Sequence, residues 1–224
     1  MGDKSGVFDM IGPIMIGPSS SHTAGVVKIG KAAVGMLGGI PKKAEITFYN
    51  SFARTYEGHG SDRAIIAGLL NFNTDDIRIK TSFDVAKELG LEFKFRSVGN
   101  ASTFHPNTVS LKVSNDKREC MLIGESKGGG VINIAEIDGF RADFSTSLIT
   151  LLIKAHDIKG SIGFIANVLS QDNCNIATMS VSRKGKNDLA CQVIEMDSPM
   201  KPTTIEYINN LDWVIETVYL PVLE

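Results

Sequence analysis

Cysteine is scarce in this chain: three residues, Cys120, Cys174 and Cys191, far apart and odd in number. Such spacing fits neither a disulfide framework nor a zinc site. An iron–sulfur cluster takes about three or four thiolates at suitable spacing, so the chain is not equipped to hold one unaided. Neither sign of charge dominates. The 23 Lys+Arg stand against 25 Asp+Glu, for a net charge of −2, and no basic stripe is visible. That balance argues against a nucleic-acid partner. Long apolar runs are missing too. The stretch at 64–70 (Ala-Ile-Ile-Ala-Gly-Leu-Leu) is among the longest, far short of the roughly 20 residues that span a bilayer. The opening residues Met1-Gly2-Asp3-Lys4-Ser5-Gly6 carry no apolar signal core, which predicts a cytoplasmic chain with no membrane partner.

Glycine, by contrast, is plentiful: 22 of 224 residues, about a tenth of the chain against a usual ~7%. Many of these glycines sit in short polar motifs. The length suits one large domain or two small ones. The segment Asp138-Gly139-Phe140-Arg141-Ala142-Asp143 separates two apolar, strand-like runs. It predicts a boundary, with domains at 1–143 and 147–224.

Hydrophobic spacing gives the elements. Val26, Ile29, Ala33 and Leu37 recur at helical intervals and stop at Gly38-Gly39. A strand is expected at 44–49 and a second helix at 62–70. A third helix is expected at 82–89, with Ser82 as N-cap and Gly90 as stop. Val109, Leu111 and Val113 alternate with polar residues, the period of a half-buried strand. Further strands follow at 119–124 and 131–137. This part reads as an α+β domain with antiparallel pairing. The second part reads as strand 148–155, a helix opened by Gly160-Ser161, strands around Met179 and Cys191, a helix begun by Pro202, and strand 213–220. That order, βαββαβ, is the ferredoxin-like split unit.

Five motifs could carry chemistry. In 17–25, Gly-Pro-Ser-Ser-Ser-His-Thr-Ala-Gly, the hydroxyls of Ser19, Ser20, Ser21 and Thr23 and the His22 imidazole directly precede the first helix. Unpaired helix N–H groups there suit a carboxylate or phosphate. Plain N-capping by one serine is the alternative. In 57–62, Glu-Gly-His-Gly-Ser-Asp, His59 stands between glycines just before the second helix. The helix dipole favours the neutral imidazole, which can act as a base. Asp62 could orient the ring instead and would pull the other way. An exposed capping turn is the simpler alternative.

Three weaker motifs follow. Pro106 favours an extended backbone at His105, so His105 and Asn107 can share one face of a strand entry. The glycine-rich 124–130, with Ser126, Gly128, Gly129 and Gly130, is either an anion nest or a flexible hairpin. No helix follows it, so it is not a P-loop. Asp157 and Gly160 flank the strand-to-helix turn of the second domain, where helix N–H groups could meet an amino-acid carboxylate.

In combination, Gly-Pro-Ser-Ser-Ser-His-Thr, Gly-His-Gly-Ser-Asp, His-Pro-Asn-Thr and Ser-Lys-Gly-Gly-Gly, in this order, resemble the β subunit of iron–sulfur-dependent L-serine dehydratase. The first domain resembles that family's β domain and the allosteric substrate-binding domain of some phosphoglycerate dehydrogenases. The second resembles an ACT domain. The resemblance implies a separate α subunit carrying a [4Fe–4S] cluster, with no metal ligand on this chain. It implies conversion of L-serine to pyruvate and ammonia, with iron acting as Lewis acid on the β-hydroxyl. His59 aligns with the base for the Cα proton and His22 with a second active-site histidine. Ser19, Ser20, Ser21, Thr23 and Asp62 fall in the substrate-binding motifs, and His105 and Asn107 face the catalytic partner. An α2β2 assembly with self-association through the ACT domain is expected. The competing reading is a stand-alone module that binds L-serine and catalyses nothing.

Overall fold

A computed structural model describes residues 12–99 and 103–223. The chain divides into two compact units between Asp138 and Gly139, and the second ends at Val222. The division falls a few residues ahead of the expected end at residue 143, before a strand at Phe140–Phe144.

The first unit opens with a five-residue π-helical turn, Ser20–Ala24, that runs directly into helix α1 (Gly25–Leu37). Strand β1 (Lys43–Tyr49) alternates, burying Ala44, Ile46 and Phe48. A short helix α2 (Asn50–Thr55), not foreseen in the sequence, follows at once. Helix α3 (Ser61–Leu69) then buries Ala64, Ile65, Ile66 and Leu69. After a 3-10 turn at Ile77–Thr81 comes α4 (Ser82–Glu88). Ser82 is not the expected N-cap. Thr81 holds that position, and the buried Ser82 hydroxyl donates to the Arg63 carbonyl at 2.8 Å. Strand β2 (Glu92–Val98), also unforeseen, pairs in parallel with β1, matching Ile46 to Phe95.

Strands β3 (Thr108–Ser114), β4 (Glu119–Gly128) and β5 (Val131–Ile137) complete the antiparallel part, giving the order β2-β1-β3-β4-β5. Strand β4 reaches Gly128, so the glycine-rich segment is mostly ladder rather than loop.

Helices α1 and α3 are brought to backbone contact by two glycines. A Cβ on Gly30 would lie 2.8 Å from the Gly68 backbone, and one on Gly68 would lie 2.2 Å from the Val27 carbonyl oxygen. The Ser61 hydroxyl also donates to the His22 carbonyl at 2.8 Å. Both contact pairs, 22 with 61 and 30 with 68, advance together along the two helices. The helices therefore run in the same direction with their N-terminal ends side by side.

The second unit begins with β6 (Phe140–Phe144). It continues as β7 (Ile149–His156), α5 (Ser161–Gln171), β8 (Ile176–Arg183), β9 (Leu189–Met196), α6 (Pro202–Asn209) and β10 (Val214–Leu220). The sheet order β10-β7-β9-β8, antiparallel throughout, is that of a ferredoxin-like βαββαβ unit. Its core holds Leu151, Ile153, Ile165, Leu169, Ile194 and Ile208.

Candidate functional site

The side-by-side N-terminal ends of α1 and α3 bring His22 and His59 together. Their ring centroids are 4.7 Å apart with planes at 72°, edge to face. Three hydroxyls fix the His22 ring. Nδ1 lies 3.0 Å from the Ser21 Oγ and 3.3 Å from the Ser19 Oγ, and Nε2 lies 3.1 Å from the Thr55 Oγ1. The tautomer follows from proton counting. Thr55 gives its one proton to the Ser51 carbonyl at 2.8 Å, so it can only accept from His22 Nε2–H. Nδ1 of the neutral ring is then the acceptor for a serine O–H. Phe52 closes another side of the ring at 4.9 Å. Burial, and the nearby charge His59 can carry, hold His22 below the ordinary histidine pKa. His59 has a freer setting. It is exposed, its backbone N–H donates to the Thr55 carbonyl at 2.9 Å, and Gly60 turns the chain into α3 with φ +70°.

The serines are placed differently from the expectation. Ser20 and Ser21 lie inside the π-helical turn rather than in a loop ahead of the helix. The N–H groups at the start of α1 are therefore engaged by that turn, and the donors of an anion site are not free there. Ser19 is the N-cap, accepting from the His22 N–H at 3.3 Å. The hydroxyls of Ser19 and Ser21 thus hold an imidazole. Thr23 is 2% exposed, and its hydroxyl is buried with no hydrogen-bond partner among the described residues.

Asp62 does not orient either ring. Its carboxylate accepts from the Arg63 N–H at 2.8 Å, within its own helical turn. Burial raises its pKa, against the opposing pull of Arg63.

Helix α2 is the element that sequence reasoning missed. It supplies Thr55 and Phe52 to His22, and its N-terminal end is satisfied from residues 104–106. The Ser51 N–H donates to the Pro106 carbonyl at 2.9 Å, and the Asn50 amide to the Phe104 carbonyl at 3.1 Å. Six residues are under two helical turns, too few to show a 3.6-residue period. His105 and Asn107 form a turn, not an extended strand entry. His105 Nδ1 accepts from the Asn107 N–H at 3.2 Å, and residues 106–107 form a turn ahead of β3. Burial, then the charge of Lys127, lowers the His105 pKa.

The anion nest does not form. Ser126 is fully buried within β4, beneath Gly25, and its hydroxyl has no partner. Gly128, Gly129 and Gly130 all take positive φ, of 98°, 61° and 78°. A nest alternates right- and left-handed residues, so these three make a hairpin turn instead.

In the second unit, the Asp157 carboxylate accepts from Arg183 Nη1 at 3.1 Å and the Asn187 N–H at 3.0 Å. These contacts hold it below the usual carboxylate range. Asp157 therefore fastens the β8–β9 turn. With Gly160, Ser161, Arg183, Lys186 and Gln192 it lines an open cleft of about 480 Å³.

Among the described residues, no three His, Cys, Asp or Glu side chains are grouped as metal ligands. Cys120 is buried in the first unit, and Cys174 and Cys191 are buried in the second. This donor set does not fit an iron–sulfur cluster.

Residues 6–92 match the family model described as serine dehydratase beta chain. The chain is 43% identical to the probable L-serine dehydratase beta chain of Bacillus subtilis, over 94% of this chain and 95% of that one. It is 36% identical to the L-serine dehydratase beta chain of Peptoniphilus asaccharolyticus, over 86% and 87%. A more distant similarity, 26% identity, links 68% of this chain to 29% of the D-3-phosphoglycerate dehydrogenase of Bacillus subtilis.

Proposed function

This chain belongs to the serine dehydratase β-chain family, and from that premise we propose that it is the β subunit of an L-serine dehydratase, supplying the proton-handling half of a site shared with an α subunit. The observation that carries the reading is the convergence of His22 and His59 from two separate motifs, one ring fixed and the other open.

β-Elimination from L-serine removes the Cα proton and expels the β-hydroxyl. The resulting aminoacrylate tautomerises and hydrolyses to pyruvate and ammonia. His59 is the base for the Cα proton: exposed on a glycine-flanked turn, it can reach a substrate presented by the partner. His22 is a positioning residue. Both its nitrogens are engaged by hydroxyls, so it is poorly placed to exchange protons. Kept neutral by burial, it backs His59 without adding a second fixed charge.

The [4Fe–4S] cluster implied by the family resemblance is assigned to the α subunit, since the three separated cysteines of this chain do not suit it. A cluster-dependent complex belongs in a reducing compartment, the cytoplasm. The second unit is assigned to ACT-type self-association within an α2β2 assembly. The cleft beside Asp157 and Gly160 is its effector site.

The test is anaerobic pyruvate formation from L-serine after iron–sulfide reconstitution, with the chain alone and co-expressed with the α subunit. Activity is expected only in the complex. His59→Asn should lower kcat by about 10²–10⁴-fold, the range of a lost general base, at an unchanged unfolding temperature. L-serine binding with no turnover in either preparation would transfer the reading to a regulatory module. Unchanged turnover in His59→Asn would remove His59 as the base.

A further inference from the structure

Next to His59 lies a cavity of about 200 Å³. It is lined by the loop Ile16-Gly17-Pro18, by Thr23, by His59, Gly60 and Arg63, and by Ile79 and Lys80. The volume suits a molecule of a few heavy atoms. Two features of the lining call for an anion. The first is positive charge. Arg63 and Lys80 reach the cavity from α3 and from the 3-10 turn, and among the described residues no ion pair engages either one. The guanidinium of Arg63 lies over the Phe83 ring, 6.0 Å from its centroid. Asp62, next in sequence, accepts from the Arg63 backbone N–H and feels the Arg63 charge without forming an ion pair with it.

The second feature is the Thr23 hydroxyl, 2% exposed and, among the described residues, without a hydrogen-bond partner. A buried hydroxyl left unpaired is costly, and Thr23 lines this cavity. Gly17 keeps the loop close over that group, since a Cβ there would lie 2.3 Å from the Thr23 Oγ1.

We propose that Arg63, Lys80 and Thr23 form the binding site for the α-carboxylate of a small amino-acid substrate, holding it beside His59. The proposal rests on the serine dehydratase reading for the identity of that substrate. It adds the positive charge that the serines and histidines of the sequence motifs do not supply. A carboxylate held there places the adjoining Cα, the carbon that loses its proton, toward the His59 turn. Arg63 and Lys80 are then determinants of substrate binding rather than catalytic residues.

L-Alanine is the probe for the test. It has the same carboxylate and ammonium as L-serine but no hydroxyl to eliminate, so binding is read apart from turnover. The full-length chain is titrated while the His59 ring resonances are followed by NMR. Saturable shifts are expected. Arg63→Gln and Lys80→Gln should each raise Kd at least tenfold, and L-alaninamide, lacking the carboxylate, should leave the resonances unmoved. Both substitutions replace exposed side chains, and an unchanged unfolding temperature verifies the fold. Equal Kd in the variants, equal binding of the amide, or no saturation by L-alanine would each overturn the assignment. Failure of the dehydratase reading appears separately, as absence of pyruvate from the wild-type complex.

Discussion

The His22 ring shows how several weak groups can fix one side chain. Its two nitrogens meet hydroxyls from the π-helical turn and from α2. The Thr55 proton, already given to the Ser51 carbonyl, settles which nitrogen carries hydrogen. Thr55→Val removes the acceptor and leaves Nε2–H unpaired beside Phe52. A lost hydrogen bond of about 1.4 kcal/mol corresponds to roughly tenfold in rate. The expected result in the α–β complex is a fall of that size in kcat with KM nearly unchanged, and rescue by Thr55→Ser. An effect confined to KM would contradict the positioning role of His22. Signs of this residue-scale arrangement were present in the sequence only in part. The motifs named His22 and His59, and the hydroxyls of Ser19 and Ser21 lie against the His22 ring. What those hydroxyls bind was not legible, because it depends on the π-helical turn folding the serines back onto the neighbouring ring.

At the scale of elements, the site depends on α1 and α3 lying at backbone contact. Gly30 and Gly68 permit it, and any side chain at residue 68 meets the Val27 carbonyl oxygen. Gly68→Ala should destabilise the chain by ~1–3 kcal/mol or more through overpacking. It should also move the α3 end, with His59, away from His22. Equilibrium denaturation checks the first effect. The second is checked by loss of turnover in protein still folded at the assay temperature. A neutral outcome in both would mean that the helices tolerate a wider separation than this contact implies. The long amphipathic elements were legible because burial of one face repeats along them, as in α1 and β1. Helix α2 was not, being short and completed at its N-terminal end by the carbonyl of Pro106. Strand β2 does carry an alternation, Phe93 and Phe95 against Lys94 and Arg96. Its partner β1 lies more than forty residues earlier, and the parallel pairing is a long-range event.

For the whole molecule, the histidines set a pH dependence of stability. Both His22 and His105 lie below the ordinary histidine value of 6.5 in the folded chain. The unfolded chain therefore binds more protons as pH falls through 6.5, and folding loses stability below that point. The carboxylates lowered by their partners, such as Asp76 and Asp172, act at lower pH. The unfolding temperature should hold steady above pH 7 and decline between pH 6.5 and 5. His22→Asn should flatten part of that decline. A wild-type profile that is level across this window would refute the desolvated state of the two rings.

The sequence by itself determined the two-part α+β organisation, the βαββαβ order of the second unit, and which motifs bring imidazoles and hydroxyls to the helix starts. Hydrophobic period and glycine punctuation are local properties, written within each element. Tertiary structure alone decided which of those residues meet. It joined His22 to His59 through a two-glycine helix contact and brought Thr55 under His22. It turned Asp62 onto its own helix and buried Ser126 inside a strand. Each of these outcomes depends on residues tens of positions apart competing for the same space or the same proton, and no local pattern records who wins.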